Sequence, residues 1–576
     1  MGDFDWIQKP VASPQLVKEL SQSLNDLPEA LAQSLFLRGI RSLEDARLFF
    51  RGSSEALHDP QEMAGMEIAA PRVAAAIRAK ERVVVYGDYD VDGTTSTAMV
   101  THFLRDRGVP AAYFIPDRFR HGYGLCNAGI DEVVEMGATL MIAIDCGVTA
   151  IDEVAYAKGR GLDVVICDHH TPPETLPDAL AVLDPKRVDC GYPCKDLCGC
   201  GVAYKMISRT AAILGEEPES VQQYLDLVAL ATAADVVPLR GENRILLREG
   251  LKRLREGSRL GIRHLAEEGN VNLPECNTRA IQFALAPRIN AAGRLGDAKR
   301  AVKLMLAEDA EEASSRAREL ERVNTERRAL DKKVLEDAER RARILVDAGR
   351  SSILLYDPDW HLGVLGIVAA RLVDGLRMPT VLLGRANGMA KGSARSTEGV
   401  NVYKALAACS SLLTAFGGHD YAAGMALDPD LVPEFELAFE NAIRSASTGT
   451  PARRRLEFDA ELPVSQIDAR FWAVLEQFEP FGAENDPPLF VSRGITVAGL
   501  PRLLGKTSDH LKFRVRDGDS PSCDVIGFRM ASHFDVVSDA FGNRSALDIA
   551  YSVTENNWNG VRSLQLHLKD VKPSTS

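Results

Sequence analysis

Tyr86-Gly87-Asp88-Tyr89-Asp90-Val91-Asp92-Gly93 places three carboxylates at alternate positions directly behind the apolar run Val83-Val84-Val85. A short β-branched run that stops at glycine and acids reads as a buried strand ending in a loop. Four more such runs follow: Tyr113-Phe114-Ile115, Met141-Ile142-Ala143-Ile144, Val164-Val165-Ile166 and Leu180-Ala181-Val182-Leu183, with helix-length amphipathic stretches between them. Alternation of this kind predicts a parallel α/β sheet covered by helices. Acids recur at two further strand ends, in Asp145-Cys146-Gly147 and Asp168-His169-His170. The three acidic elements should therefore meet beyond the carboxyl ends of the strands, where open α/β sheets bind ligands.

Outward from this sheet, residues 1–60 read as an N-terminal helical cap and 61–308 as the catalytic domain. From Asp309 to Asp347 the chain is dense in Glu, Arg, Lys and Ala, with charges of both signs three and four apart and no Gly or Pro before Gly349. That spacing predicts one long exposed helix, the connecting element of 309–349. Residues 350–446 repeat the α/β pattern on a smaller scale, with Ile353-Leu354-Leu355-Tyr356 and Thr380-Val381-Leu382-Leu383 as strands around a helix over 363–376. The polar stretch 445–451 reads as a linker. In 453–576, short strand-like segments such as Leu511-Lys512-Phe513-Arg514-Val515-Arg516 and Ser563-Leu564-Gln565-Leu566-His567-Leu568 alternate with Gly, Asp and Asn turns. These predict a small β-barrel, so the fold class is α/β and multidomain.

At 576 residues, 45% hydrophobic and 26% charged, the chain is long enough for several cores and too apolar for wholesale disorder. A net charge of -13 excludes a surface coated in nucleic acid throughout but leaves local basic grooves open. No apolar run reaches the ~18 residues of a membrane span, and the opening MGDFDWIQKP lacks a signal peptide's basic start and apolar stretch. The expectation is a cytoplasmic protein without membrane association, its 10 Cys reduced.

The loop 88–92 offers Asp at alternate positions, as a calcium loop does, but the twelfth position carries Met99 instead of Glu. Any one of the strand-end acids reads equally well as an ion-pair or capping residue; three together point to a metal centre. Aspartate with imidazole and no thiolate suits Mn2+ or Mg2+, and paired ions of this kind serve phosphoester cleavage. Cys190, Cys194, Cys198 and Cys200 could hold zinc, but their C-x3-C-x3-C-x-C spacing, with a helix expected just after Gly201, favours buried thiols. Arginines beside glycine-rich turns resemble anion cradles: Arg118 and Arg120, Arg288 with Asn290, Ser393 with Arg395, and Gly417-Gly418-His419. Each arginine alone reads as a surface or ion-pair residue, and Tyr113 and Tyr123 serve either base stacking or core packing.

GDYDVDG, the Asp145 element, the triplet Asp168-His169-His170, PRINAAGRL, GVLGIVAARL, GSARS and GGHDYAAG occur in that order. In this the chain resembles the DHH phosphoesterase superfamily and, within it, the bacterial single-stranded-DNA-specific exonucleases. The resemblance implies a parallel-sheet DHH domain, a long connecting helix, a DHH-associated substrate-binding domain over 350–446 and a C-terminal OB-fold barrel that binds nucleic acid. It implies 5′-to-3′ hydrolysis of single-stranded DNA in recombination and repair, with two Mn2+ or Mg2+ ions held by Asp90, Asp92, Asp145, His169 and Asp235. His170 would lie by the substrate phosphate, with Asp168 and Asp88 orienting ligands. Arg118, Arg288, Asn290, Ser393, Arg395, Gly418 and His419 would contact substrate. Tyr86 stands where many members carry a histidine, and a phenol is a poor ligand for a divalent ion. The implied partners are single-stranded DNA, a single-stranded-DNA-binding protein and a RecQ-type helicase, with the chain itself a monomer. Two other readings are a superfamily enzyme acting on short oligonucleotides or cyclic dinucleotides, and a non-catalytic DNA-binding scaffold. The long helix and barrel speak against the first, and the intact set of carboxylates against the second.

Overall fold

The computed structural model describes residues 4–10, 13–118, 120–446, 454–558 and 561–574, so most of the expected linker 445–451 lies outside the described residues. The catalytic sheet has five parallel strands, in spatial order Ala111–Phe114, Val83–Gly87, Leu140–Ile144, Asp163–Cys167 and Ala181–Leu183. Because side chains alternate along a strand, Val83 and Val85 enter one core while Val84 and Tyr86 enter the other. The helices Met66–Ala79, Val91–Asp106 and Gly199–Leu214 cover the first face, and Asn127–Glu135 and Ile151–Gly159 the second. The strand first in sequence lies between its successors, so the strand order switches direction beside Gly87 and Ile144, which precede Asp88 and Asp145.

The long helix spans Ala310–Asp347, capped at its start by the Asp309 carboxylate on the Glu312 N–H. It is not exposed all round, as its charge pattern suggested. Ala317 and Leu320 join the catalytic core, while Val334, Ala338 and Ala342 join a core of the following domain. Alanines make a narrow stripe that heavy charge on the other faces conceals from a count of composition. The following domain has a five-stranded sheet, in which Ile353–Tyr356 and Thr380–Ala386 run parallel and Met389–Arg395, Ala422–Leu427 and Ala415–Gly418 add antiparallel pairs. In the C-terminal barrel, Phe490–Val497 pairs with both Leu547–Trp558 and His510–Arg516, which closes the sheet on itself.

The N-terminal segment departs from a purely helical cap. Phe4–Gln8 is a strand paired in parallel with Arg454–Phe458, and Leu31, Leu35 and Phe49 share one core with Phe471, Phe478 and Phe490. A strand whose partner lies some 450 residues away carries no local signal of its pairing. The N-terminal helices thus depend on the barrel, and a chain ended before residue 453 would leave their apolar face in water. Among the described residues no helix is long and apolar enough to cross a membrane.

Arg244 ties these parts to the catalytic domain. Its buried guanidinium donates to the carbonyls of Phe49, Gln477, Phe478, Glu479 and Pro480 at 2.8–3.4 Å. Burial, with Arg248 and Arg38 nearby, lowers its pKa to about 9. Arg244→Met should cost about 3 kcal/mol or more, because several buried carbonyls lose their donor together. Thermal melting checks this: an unchanged midpoint would show that the five bonds add no net stability.

Candidate metal centre and phosphate cavity

The centre begins with the helix Val91–Asp106. Asp90 is its N-cap, accepting from the Gly93 N–H at 3.0 Å, and Asp92 lies in its first turn. Thr94, Thr95, Ser96 and Thr97 return their buried hydroxyls to carbonyls four residues back at 2.6–2.7 Å, so this polar run satisfies itself inside the core. Gly93 is required because a Cβ there would stand 2.4 Å from the Asp88 carbonyl oxygen. Asp92 accepts from the Gly199 and Cys200 N–H groups at 2.6 and 2.8 Å, at the start of a second helix. That helix begins at Gly199, earlier than expected, and a Cβ on Gly199 would press 2.8 Å against the Asp145 side chain. Asp145 has a left-handed backbone (φ 60°), which aspartate tolerates better than most residues.

His169 Nε2 lies 3.2 Å from Asp145, 3.7 Å from Asp235 and 3.8 Å from Asp92. Donor atoms fall within 4.8 Å of one another in three groups: Asp88, Asp90 and Asp145; Asp92, His169 and Asp235; Asp145, His169 and His170. All five expected ligands converge. Asp88 joins them as a potential ligand instead of merely orienting others, for its buried Oδ1 has no hydrogen-bond partner. Asp168 orients its neighbours, accepting from the His169 N–H (2.7 Å), His170 Nδ1 (2.7 Å) and the Val148 N–H (2.9 Å).

Burial and mutual repulsion push the pKa values of Asp88, Asp92 and Asp145 well above the usual carboxylate range, and that of Asp235 to about 7. Burial and the neighbouring His170 lower His169 to about 3, which keeps its imidazole neutral and fit to bind a metal. His170 rises to about 8 despite burial, because it shares a hydrogen bond with Asp168. Asp168 itself stays below the usual range: burial opposes this, but the hydrogen bonds and charge from His170 prevail. Crowded carboxylates, an orphaned buried oxygen and a neutral imidazole make a donor set suited to Mn2+ or Mg2+.

Beside this centre lies a cavity of about 480 Å³ lined by Arg118, Arg294, Lys391, Ser393, Arg395 and Gly418, among others. Arg118 stacks over Tyr89, between Asp88 and Asp90, at 5.3 Å, so the cavity and the acidic loop share a wall. Arg395 donates to Ser393 Oγ at 2.7 Å. Arg294, absent from the sequence-derived set, loses proton affinity to about 10 through burial and repulsion from Arg118, Arg327 and Arg395. Cations crowded in this way favour a bound anion.

Two expected substrate contacts are corrected. Arg288 is buried, with Nε 2.6 Å from Glu321 and an N–H donated to the Ala284 carbonyl; it braces the long helix and is closed to a phosphate. Asn290 accepts the Val91 N–H at 3.1 Å, so it positions the acidic loop. His419 is exposed next to the cavity's Gly418. Tyr86 is buried away from the ligands, donating to the Gly124 carbonyl at 3.0 Å, and Asp88 adds the carboxylate oxygen that a phenol could not. Tyr123 reaches His170 Nε2 at 3.1 Å, whereas Tyr113 packs against the core. Three of the four clustered thiols face different partners: Cys190 the Ala64 N–H, Cys198 Thr232 and Cys200 Met99.

The sequence matches the DHH family, N-terminal domain, over 82–232, the DHHA1 domain over 349–445 and the RecJ OB domain over 458–570. It is 36% identical to the single-stranded-DNA-specific exonuclease RecJ of Bacillus subtilis (strain 168), over 99% of this chain and 70% of that protein. It is 33% identical to the protein of the same name from Salmonella typhimurium, over 95% and 96%. The chain belongs to the RecJ family. Its fold superposes on the crystal structure of RecJ from Thermus thermophilus in complex with Mn2+ with a TM-score of 0.83, at 30% identity, covering 100% of this chain and 80% of that one. The RecJ architecture of DHH domain, DHHA1 domain and OB barrel is thus present throughout, with the acids and His169 at the mouth of the DHH sheet.

Proposed function

We propose that this RecJ-family chain is a divalent-metal-dependent exonuclease that hydrolyses single-stranded DNA from its 5′ end, in cytoplasmic recombination and repair. The observation that carries this is an arginine-lined cavity sharing a wall with a carboxylate and histidine cluster. Asp90, Asp92, Asp145, His169 and Asp235, joined by Asp88, would hold Mn2+ or Mg2+. Such ions supply Lewis acidity, lowering the pKa of a water and offsetting charge on phosphate oxygens. The chain's own residues bind and orient. Arg118, Arg294, Ser393, Arg395 and Gly418 take the terminal phosphate, with His419 at the rim. Asp168 holds His170 through Nδ1, which leaves Nε2, beside the Tyr123 hydroxyl, to offer a proton to a phosphate oxygen. By analogy with the family, the proposal extends to a 5′-to-3′ direction, monomeric action, and work beside a single-stranded-DNA-binding protein and a RecQ-type helicase.

The test is degradation of an internally labelled strand with Mn2+, comparing 5′-blocked, 3′-blocked and duplex substrates beside Asp92→Ala. Cutting should fail with the 5′ block, on the duplex and in the variant, and persist with the 3′ block. An intact single strand alongside cleaved dinucleotides would transfer the chain to the small-substrate class.

A further inference from the structure

A fourth strand of the catalytic sheet also ends in an acid, one that lies outside the three donor groups of the metal centre. Ala181–Leu183 is followed by Asp184-Pro185-Lys186-Arg187. Its register with the neighbouring strand sets Leu183 level with Cys167, and the Asp168 N–H donates to the Leu183 carbonyl at 2.9 Å. The residues after Leu183 therefore leave the sheet alongside Asp168-His169-His170. Asp184 then turns the chain: its Oδ1 accepts the Lys186 N–H at 2.7 Å and its carbonyl accepts the Arg187 N–H at 3.3 Å. An aspartate that bonds the backbone two residues on fixes where the next side chains start.

The two cations of this turn differ. Arg187 is committed: Nε and Nη2 lie 2.9 and 2.6 Å from the two carboxylate oxygens of Asp189, and Nη1 donates to the Val182 carbonyl. Lys186 is exposed and, among the described residues, its amine has neither an ion pair nor a hydrogen bond. Its charge nonetheless acts on Asp235, His169 and Asp184. Two of these are expected metal ligands, so the ammonium stands at the rim of the centre without joining it. The acids nearest in the chain have other tasks, for Asp168 accepts from His169 and His170 while Asp184 holds the turn. A compact cation on a flexible stem, left unpaired beside a phosphate-handling site, is suited to hold a phosphate as a point charge.

The order of the strands says which phosphate. Across the sheet, the strand ends lead in turn to Arg118, to Asp88 through Asp92, to Asp145, to Asp168 through His170, and to Lys186. Arg118 belongs to the arginine-lined cavity, and the carboxylates and His169 take the middle. Lys186 lies beyond them on the opposite side, two strand spacings or ~10 Å past the end of Leu140–Ile144. With a terminal phosphate in the cavity and the scissile phosphate facing the metal ligands, the next phosphate falls on the side of Lys186. We propose that Lys186 contacts the phosphate on the 3′ side of the linkage being cut, so that charge holds the strand on both sides of the bond that breaks. This rests on the reading of the chain as a single-strand nuclease that starts at the 5′ end.

The test measures kcat/KM for the first cut by the full-length protein with Mn2+ on two 5′-phosphorylated single strands. One has phosphodiesters throughout; the other carries a neutral methylphosphonate at the second linkage from the 5′ end, next to the linkage cut first. Lys186→Ala should lower kcat/KM about tenfold on the charged strand, the loss of one charge-assisted contact. On the methylphosphonate strand the variant should stay within about twofold of wild type, because there the wild type has already lost the charge it would contact. Lys186→Arg should keep most of the activity on the charged strand, since an exposed phosphate accepts either cation. Equal losses on both strands would show that Lys186 acts through the metal centre, and no loss on either would show that it touches no substrate. Each of these overturns the contact and leaves the nuclease reading standing. A wild-type protein that does not cut the charged strand would overturn the nuclease reading and the contact with it.

Discussion

Replacing Asp145 by Asn is expected to abolish hydrolysis, by about 10³-fold or more, while raising the melting temperature of the metal-free protein. Asp145 is buried among Asp88, Asp90, Asp92 and Asp168, whose charges add to its desolvation. Without metal these like charges destabilise the fold, and an amide removes one of them. Asn also suits the left-handed backbone at this position, so the substitution carries little conformational cost. A gain of about 1 kcal/mol is the size expected from relieving one such conflict at a functional site. The pH dependence has a definite sign. Burial and the neighbouring Asp90 push the Asp235 carboxyl up to about 7 in the folded protein from its ordinary 3.8, so the folded state binds more protons between those values. Metal-free stability should therefore be greatest at the acidic end of that window and fall as pH rises through about 7, and saturating Mn2+ should offset the fall. Melting curves of wild type and Asp145→Asn across this pH window, with and without Mn2+, check the statements on stability, and Mn2+-dependent degradation of a labelled single strand checks the loss of hydrolysis. A variant that melts lower than wild type without metal would show that Asp145 stabilises the fold and that the repulsion account is wrong.

Arg395→Ala should lower kcat/KM on 5′-phosphorylated single strands by about 10²-fold, the loss of one charge-assisted phosphate contact made in a partly desolvated site. The loss on 5′-hydroxyl strands should be much smaller, because the contact at issue is with the terminal phosphate. Arg395→Lys should recover only part of it: one ammonium cannot engage Ser393 and a phosphate with the fork of a guanidinium. Removing Arg395 also relieves Arg294 of a neighbouring charge, so folding should not suffer. Equal losses on phosphorylated and hydroxylated ends would show that the cavity does not hold the terminal phosphate.

The parallel sheet was legible because its strands are buried on both faces, which forces continuous apolar runs, and because acids cannot extend such runs without ending them. Asp90, Asp92, Asp145 and His169 were legible for the same reason: each follows a strand end, and a parallel sheet delivers all strand ends to one edge. Asp235 was not, since it ends a helix with no strand before it; only the family motif pointed to it. The chemistry of arginines was legible in kind and illegible in place. Arg288 and Arg294 lie six residues apart on one stretch of chain, yet Arg288 turns inward to Glu321 while Arg294 faces the cavity. Helical geometry separates their directions, and packing then decides which guanidinium meets a phosphate. The pairing of Phe4–Gln8 with Arg454–Phe458 and the carbonyls gathered by Arg244 belong to the same class. Local order follows from periodicity and chain stiffness within a few residues. Contacts across hundreds of residues depend on which surfaces the assembled cores leave facing one another, and that was decided in three dimensions.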